Sequence, residues 1–480
     1  MANVTLGNAI KWSFLAEATA KAIQPIVFIV LARLLAPEDF GVMAAALMVI
    51  GFCQILWEAG LGKAIVQRQT DVDEAANVAF WMNLALAGVV VGCLFLAASI
   101  IAVSFFQDAR VADVIRVMTL HVILSAVSAV PIALLQKRMG FQRLFWVRFA
   151  TVSLPALASI PMALMGAGYW ALVIGALIGQ ATQAFVLWRQ ITWRPRLSYN
   201  ADVAADVVKF GSWVALSGLL TWFFAWGDSL VVGMYLGSHD LGLYRTGNQM
   251  AMMLFALLFS PLLPVFYSHL SMMDGDLIRI RKFLTNAISA LSFLAIPVAL
   301  VIFSLAEPTG QLLFGAKWQG IGFVIGVMAL MHGYSWIAGV NGEVYRAMGK
   351  PSYETVVTAS MLVIYLVAYI VSIQHGFEAF VWTRFGLALV ALLLHLFVIR
   401  KLLAIPAWPV VRNLLLITIV VGSIVLAVQY IVLMKMPSEV MQIVVGIFAN
   451  LFLLGGGLLL FAKAEFVIEL KILLGFDVKQ

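Results

Sequence analysis

The stretch LLAPEDFGVM, Leu34 to Met43, returns at an offset of 201 residues as YLGSHDLGLY, Tyr235 to Tyr244, with Leu35 and Leu236, Asp39 and Asp240, and Gly41 and Gly242 in register. In the first copy Pro37 cannot continue a preceding helix, Asp39 can accept backbone N–H bonds at a helix start, and Gly41 allows close approach. The motif therefore reads as a rigid corner between the first two helices of a half. A second echo pairs Arg138-Met139-Gly140 with Ala347-Met348-Gly349 at an offset of 209, each following the fourth helix of its half.

Those two offsets predict a duplicated chain. An even number of helices between matching points gives both copies one orientation, which makes the repeat parallel, about an axis along the membrane normal. Apolar stretches near 12–35, 41–61, 77–106, 114–136, 145–166, 169–189, 210–236, 242–268, 283–306, 320–345, 353–373, 379–400, 410–433 and 440–462 supply the elements. Each approaches the roughly 20 residues that cross a bilayer as a helix. The expected fold is thus an all-α polytopic membrane protein of about fourteen transmembrane helices. It comprises a six-helix lobe over 1–200, a second over 201–405, a central cavity between them, and two appended helices with a tail over 406–480.

Composition leaves little alternative. Hydrophobic residues make up 63% of 480 and charged residues 11%, with a mean hydropathy of +1.03, whereas soluble domains carry about a quarter charged residues. The amino terminus, MANVTLGNAIKW, is polar and lacks a small-residue cleavage site, so the first helix is expected to be retained. A net charge of +7 invites a nucleic-acid reading, but the cations are not gathered with aromatic platforms on one soluble face. They follow the membrane. With the amino terminus in the cytoplasm, Arg33, Arg110, Arg116, Arg245, Lys317, Arg384 and Lys435 fall outside and Lys21 within the membrane. The rest of the 30 basic residues fall inside, so the positive-inside rule puts both termini in the cytoplasm.

The corner LARLLAPEDFG, Leu31 to Gly41, together with EAGLGKAIVQR (Glu58 to Arg68) and LLQKRMGFQR (Leu134 to Arg143), resembles the polysaccharide-transporter branch of the multidrug/oligosaccharidyl-lipid/polysaccharide (MOP) exporter superfamily. The likeness is to the Wzx-type and colanic-acid-type flippases. It implies export of a lipid-linked oligosaccharide, usually on undecaprenyl pyrophosphate, across the bacterial plasma membrane by alternating access of two lobes, in cell-surface polysaccharide synthesis. It also implies that helices one, two, seven and eight line the cavity, and that polysaccharide polymerase machinery is a partner beside the bilayer and the lipid-linked substrate. No nucleic acid is expected.

An ionisable group at bilayer depth costs about 2.5–3.5 kcal/mol on insertion scales, so each one is a candidate for function. Glu17 and Lys21 lie one turn apart on helix one, with Pro25 a turn further on; they form either a wet cavity wall or a structural ion pair. Gln24 lies beside them. Asp228, in FFAWGDSLVVG, has no basic residue within a turn on its own helix. Given the family's cavity, it can carry a coupling proton, pair with Lys21, or serve as a structural hydrogen-bond acceptor. Gln54 and Glu58 sit a turn apart on helix two, and Arg33, Arg245, Asn248 and Gln249 near the ends of helices one and eight. Arginine suits a pyrophosphate because its planar fork donates two bonds at once, although Arg33 and Arg245 can equally snorkel to the interface.

Other residue types read as structural. His121, His332 and His395 are scattered without metal-ligand spacing and are expected to be hydrogen-bonded core residues, and Cys53 and Cys93 packing residues. Trp12, Trp57, Trp146, Trp170, Trp188, Trp213 and Trp318 read as interface anchors, while Trp222 or Trp226 could stack on a sugar. No Walker motif, nucleophile elbow or H-E-x-x-H occurs, so no enzyme activity, catalytic residue, metal or cofactor is expected. Any energy must come from an H+ or Na+ gradient or from consumption of the glycan outside. Two further readings stand beside the flippase: a multidrug or organic-cation antiporter of the same superfamily, and a membrane glycan polymerase. The second would want a long outer loop.

Overall fold

In a bilayer core, backbone N–H and C=O groups find no water, and a single segment can satisfy them only as a helix. The computed structural model describes residues 6–58, 61–68, 71–138, 140–197, 200–260, 262, 266, 269–270, 272–273, 276–431 and 436–461. No strand occurs among the described residues. The helices are α1 (Leu6–Leu34), α2 (Pro37–Glu58), α3 (Leu61–Gln67), α4 (Val72–Phe106), α5 (Arg110–Lys137), α6 (Phe141–Leu164) and α7 (Tyr169–Gln190). They continue as α8 (Ala201–Phe259), α9 (Leu277–Phe314), α10 (Ile321–Ala347), α11 (Pro351–Ile373), α12 (Phe377–Leu403), α13 (Ala407–Ile431) and α14 (Glu439–Phe461), with a 3-10 turn at Ala316–Trp318.

Within the described residues every expected apolar stretch falls on these helices; the ends expected at 59–60, 261, 263–265, 267–268, 432–433 and 462 lie outside the described residues. Among the described residues eleven helices are long and apolar enough to cross a membrane by length and composition. Two further stretches, Ile23–Leu34 and Glu439–Leu453, are apolar but shorter. The difference from the expected fourteen lies partly in α8, which joins the stretches expected at 210–236 and 242–268. Its apolar part, Val214–Phe259, has 46 residues, or about 69 Å as a straight helix, more than twice the ~30 Å hydrocarbon core. The helix does not run straight. Gly237 takes φ 82° and ψ −171°, a region closed to side-chain-bearing residues.

The chain divides into two compact units, Met1–Arg245 and Thr246–Gln480. In the first, α4 packs along α5, α6 along α7, and α5 crosses to α7; α1 lies on α6 and α2 on α5. In the second, α9 packs along α10, α11 along α12, and α10 crosses to α12, while α13 and α14 both lie on α9. The same pattern of two hairpins and one cross-contact is therefore present in both.

The apolar surface is arranged for lipid. On α4, Leu94, Ala98 and Ala102 repeat every four residues and are buried, whereas Leu96 is 81%, Ile100 67% and Val103 61% exposed on the other face. Large apolar residues left outward on a long helix are stable only where the solvent is itself apolar. Two of the expected interface tryptophans depart from this belt: Trp57 and Trp318 are fully buried, packed within the protein because large rings also fill gaps between helices. Trp146 is exposed as an anchor would be. In a background with Cys53 and Cys93 replaced by Ser, nitroxides at positions 96, 100 and 103 should show high collision with dissolved oxygen and low collision with a polar nickel reagent. Labels at 94, 98 and 102 should be shielded from both; uniform accessibility along α4 would refute a lipid-facing stripe.

Candidate functional site

The first corner is built by one carboxylate. Asp39 Oδ2 accepts the Ala36 N–H at 2.9 Å, and Oδ1 accepts the Tyr169 N–H at 2.9 Å. It thus satisfies donors at the starts of α2 and α7 and fixes one against the other. Pro37 occupies the first position of α2, where a missing N–H costs nothing.

The two copies of the motif meet each other. A Cβ placed on Gly41 would lie 1.7 Å from the carbonyl oxygen of Ser238, and one placed on Gly242 would lie 1.8 Å from the carbonyl oxygen of Pro37. Pro37 and Ser238 are themselves equivalent positions of the repeat, as are Gly41 and Gly242. The contact is therefore reciprocal, as across a two-fold interface where each partner offers the same patch. Glu38 and His239, again equivalent, are 2.7 Å apart from carboxylate Oε1 to ring Nδ1. Around them Ser238 Oγ donates to Asp108 Oδ2 at 2.7 Å, Arg110 pairs with Asp108 at 2.8 Å, and Gln107 Nε2 donates to the Met234 carbonyl at 3.1 Å. Burial alone would raise the Asp108 pKa, but the hydrogen bonds from Arg110 and Ser238 outweigh it and hold the carboxyl below the usual carboxylate value.

A second polar cluster flanks the bend in α8. Asp228 is 2% exposed and accepts from the Ser229 N–H at 2.6 Å, Ser229 Oγ at 3.1 Å and the Tyr244 hydroxyl at 2.7 Å. The Arg245 guanidinium lies 3.8 Å from the centre of the Trp226 ring and donates to the Ala225 carbonyl at 3.1 Å and to Ser229 Oγ at 3.5 Å. Sixteen residues separate Asp228 from Tyr244, about 24 Å along a straight helix. Bonds of this length demand that the chain reverse at Gly237, so α8 is two arms folded back on each other.

Among the expected site residues, the structure joins Asp228 to Arg245 through Ser229, and Gln54 to Glu58, whose side chains bond each other at 2.8 Å. Lys21 is half-buried on α1, with Gln24 and Arg33 exposed on the same helix; the side chain of Glu17 lies outside the described residues. Asn248 Oδ1 contacts His332 Nε2 at 3.1 Å in the second unit, with Gln249 half-buried beside it. His395 Nδ1 contacts the Tyr345 hydroxyl. Contrary to expectation, His121 Nδ1 is buried with no hydrogen-bond partner among the described residues. Trp222 is buried, donates to the Met48 carbonyl and packs edge-on against Phe52, so its ring is committed to packing. Tyr244, Ser229, and Trp226 as the seat of Arg245 went unforeseen, whereas His332 is hydrogen-bonded as expected. One signal was available: a hairpin about Gly237 sets residues seven to twelve positions away on either side opposite each other.

These polar clusters lie within a chain whose helices are those of a multi-pass membrane protein. The chain belongs to the polysaccharide biosynthesis protein family, whose model matches residues 30–322. It is 27% identical over 329 residues, 68% of this chain and 66% of the relative, to the succinoglycan biosynthesis transport protein ExoT of Rhizobium meliloti strain 1021. To the teichuronic acid biosynthesis protein TuaB of Bacillus subtilis strain 168 it is 21% identical over 76% of each chain. To the lipopolysaccharide biosynthesis protein WzxC of Escherichia coli K12 it is 22% identical over 65% of this chain and 63% of that one. The chain thus spans just under two thirds of ExoT and WzxC and about three quarters of TuaB. Its fold is that of the lipid II flippase MurJ in an inward closed conformation, with a TM-score of 0.73 at 15% identity over 92% of this chain and 97% of that one. An inward-facing multidrug resistance MATE family transporter of the MOP superfamily gives 0.60 at 13% identity, over 81% and 98%.

With Cys53 and Cys93 removed, the pair Glu38→Cys and His239→Cys should cross-link on mild oxidation. Adding Gly41→Val should abolish the cross-link while leaving expression intact, because the new side chain would have to occupy the Ser238 carbonyl. An undiminished cross-link would mean the two corners do not meet as described.

Proposed function

We propose that this protein is a flippase that moves a lipid-linked oligosaccharide, on an undecaprenyl-pyrophosphate type carrier, from the cytoplasmic to the outer leaflet of a bacterial plasma membrane for cell-surface polysaccharide synthesis. The observation that carries the reading is the match to the polysaccharide biosynthesis protein family over residues 30–322, together with the likeness to ExoT, a relative named for transport in succinoglycan biosynthesis. The shared fold with a flippase of another lipid-linked saccharide supports it.

In this reading both termini are cytoplasmic, about fourteen helices cross the membrane, and the corners at 34–43 and 235–244 face outward. Two lobes, 1–200 and 201–405, alternate access to a cavity between them, with 406–480 appended. Arg245, seated on Trp226, offers a fork to a diphosphate, and Lys21, Gln24, Arg33, Gln54, Glu58, Asn248 and Gln249 are the further candidates for the cavity wall. Asp228, encircled by donors and linked through Ser229 to Arg245, is the group to carry a proton if an H+ gradient drives transport. Polysaccharide polymerase machinery would receive the product.

The multidrug antiporter is the second reading, favoured by the likeness to a MATE transporter. The cations Lys21 and Arg245 suit an anionic cargo better than an organic cation. Deletion of the gene should leave a lipid-linked glycan intermediate on the cytoplasmic leaflet. Complementation with Asp228→Asn should restore membrane insertion but slow export on the order of tenfold, equivalent to ~1.4 kcal/mol. Altered dye efflux without any accumulated intermediate would move the assignment to the antiporter, and full complementation would take Asp228 out of the mechanism.

A further inference from the structure

A cavity of about 560 Å³ opens in the second unit between the first turns of α9 and the link from α12 to α13. One wall is mixed, with Leu277 and Ile278 beside polar and basic side chains, and the other is apolar. Arg281, Lys282, Thr285 and Asn286 line one side, and Ile405 and Val410 stand on the other. More cations surround it in sequence: Arg279 on α9, Arg400 and Lys401 in the last turn of α12, and Arg412 on α13. Asp276 at this end of α9 is already engaged, since it caps the helix through the Ile278 and Arg279 N–H groups and pairs with Arg279 at 3.1 Å. The N-terminal end of α9 adds the positive pole of its dipole. Leu277, Ile278 and Trp408 are all exposed beside these charges, the mixture of apolar, aromatic and basic side chains that sits at a bilayer surface.

We propose that this cavity is a binding site for an anionic membrane phospholipid, distinct from the Asp228 cluster. Arg281 and Lys282 grip the phosphate, Asn286 bonds the glycerol or headgroup oxygens, and the first methylenes of the acyl chains lie on Ile405 and Val410. Charge complementarity selects the occupant: among the described residues the cavity is lined by cations and apolar side chains and by no acid, so it suits a phosphate joined to hydrocarbon rather than a sugar or a cation. Because α9 packs against α10, α13 and α14, a lipid seated here would brace the helices of the second unit. The site depends only on contacts within that unit and holds whichever leaflet it faces.

The test uses the purified full-length protein and native mass spectrometry, with phosphatidylglycerol, phosphatidylcholine and water-soluble glycerol 3-phosphate as separate probes. The wild type should retain one phosphatidylglycerol tightly and phosphatidylcholine weakly. Arg281→Gln with Lys282→Gln should weaken phosphatidylglycerol retention about thirtyfold, as expected for two cations near an anionic lipid. Both residues are exposed, so folding should survive. Val410→Trp, which fills the cavity and keeps its charges, should weaken retention as well, and Arg281→Lys alone should preserve it. Unchanged retention in both the double variant and Val410→Trp would overturn the proposal. So would equal retention of the two lipids, which would show that charge is not selected, or full competition by glycerol 3-phosphate, which would show a free-anion site.

Discussion

A carboxyl group held 2% exposed in an apolar helix must be given hydrogen-bond donors, because an uncompensated charge at that depth is costly. Two of the donors are on the neighbouring Ser229, and the third reaches Asp228 because α8 doubles back at Gly237, bringing the Tyr244 hydroxyl to within 2.7 Å. The same reversal seats Arg245 on Trp226 and couples it through Ser229 to the carboxylate. It also delivers Ser238, His239 and Gly242 to the corner of α1 and α2. Were Gly237 any residue with a Cβ, the φ of 82° would be strained, and the polar cluster and the corner would be lost together.

Duplication explains why the corner is symmetric. Two copies of one motif, related by a two-fold axis, can approach most closely at positions that lie near the axis, and only glycine allows backbone to meet backbone there. Gly41 and Gly242 each receive the other copy's carbonyl for this reason. Glu38 and His239 then face each other as the same position in two copies, one carrying a carboxylate and the other an imidazole.

Much of this was legible in the sequence. The helical class followed from composition and from the length of the apolar stretches, and the capping role of Asp39 followed from its place after Pro37. The repeat was visible in Leu35, Asp39 and Gly41. What could not be read was who meets whom. Asp228 plainly needed a partner, and a break between 236 and 242 was expected, but that the fold-back there would bring the Tyr244 hydroxyl to the carboxylate could not be read from one glycine in an apolar run. Trp57 and Trp318 resembled interface anchors because they fall near helix ends, yet neighbouring helices cover them. Polar residues that neither break a helix nor cap one, such as Gln24 and Arg33, carry no signal of where their side chains go.

The fold-back itself is open to direct measurement. With Cys53 and Cys93 replaced by Ser, nitroxides attached at Ala225→Cys and Arg245→Cys should broaden each other's continuous-wave spectrum strongly, as labels within ~15 Å do, because these positions face each other across the two arms of α8. An unbroken helix would hold their backbones about 30 Å apart, and spectra without dipolar broadening would contradict the reversal at Gly237.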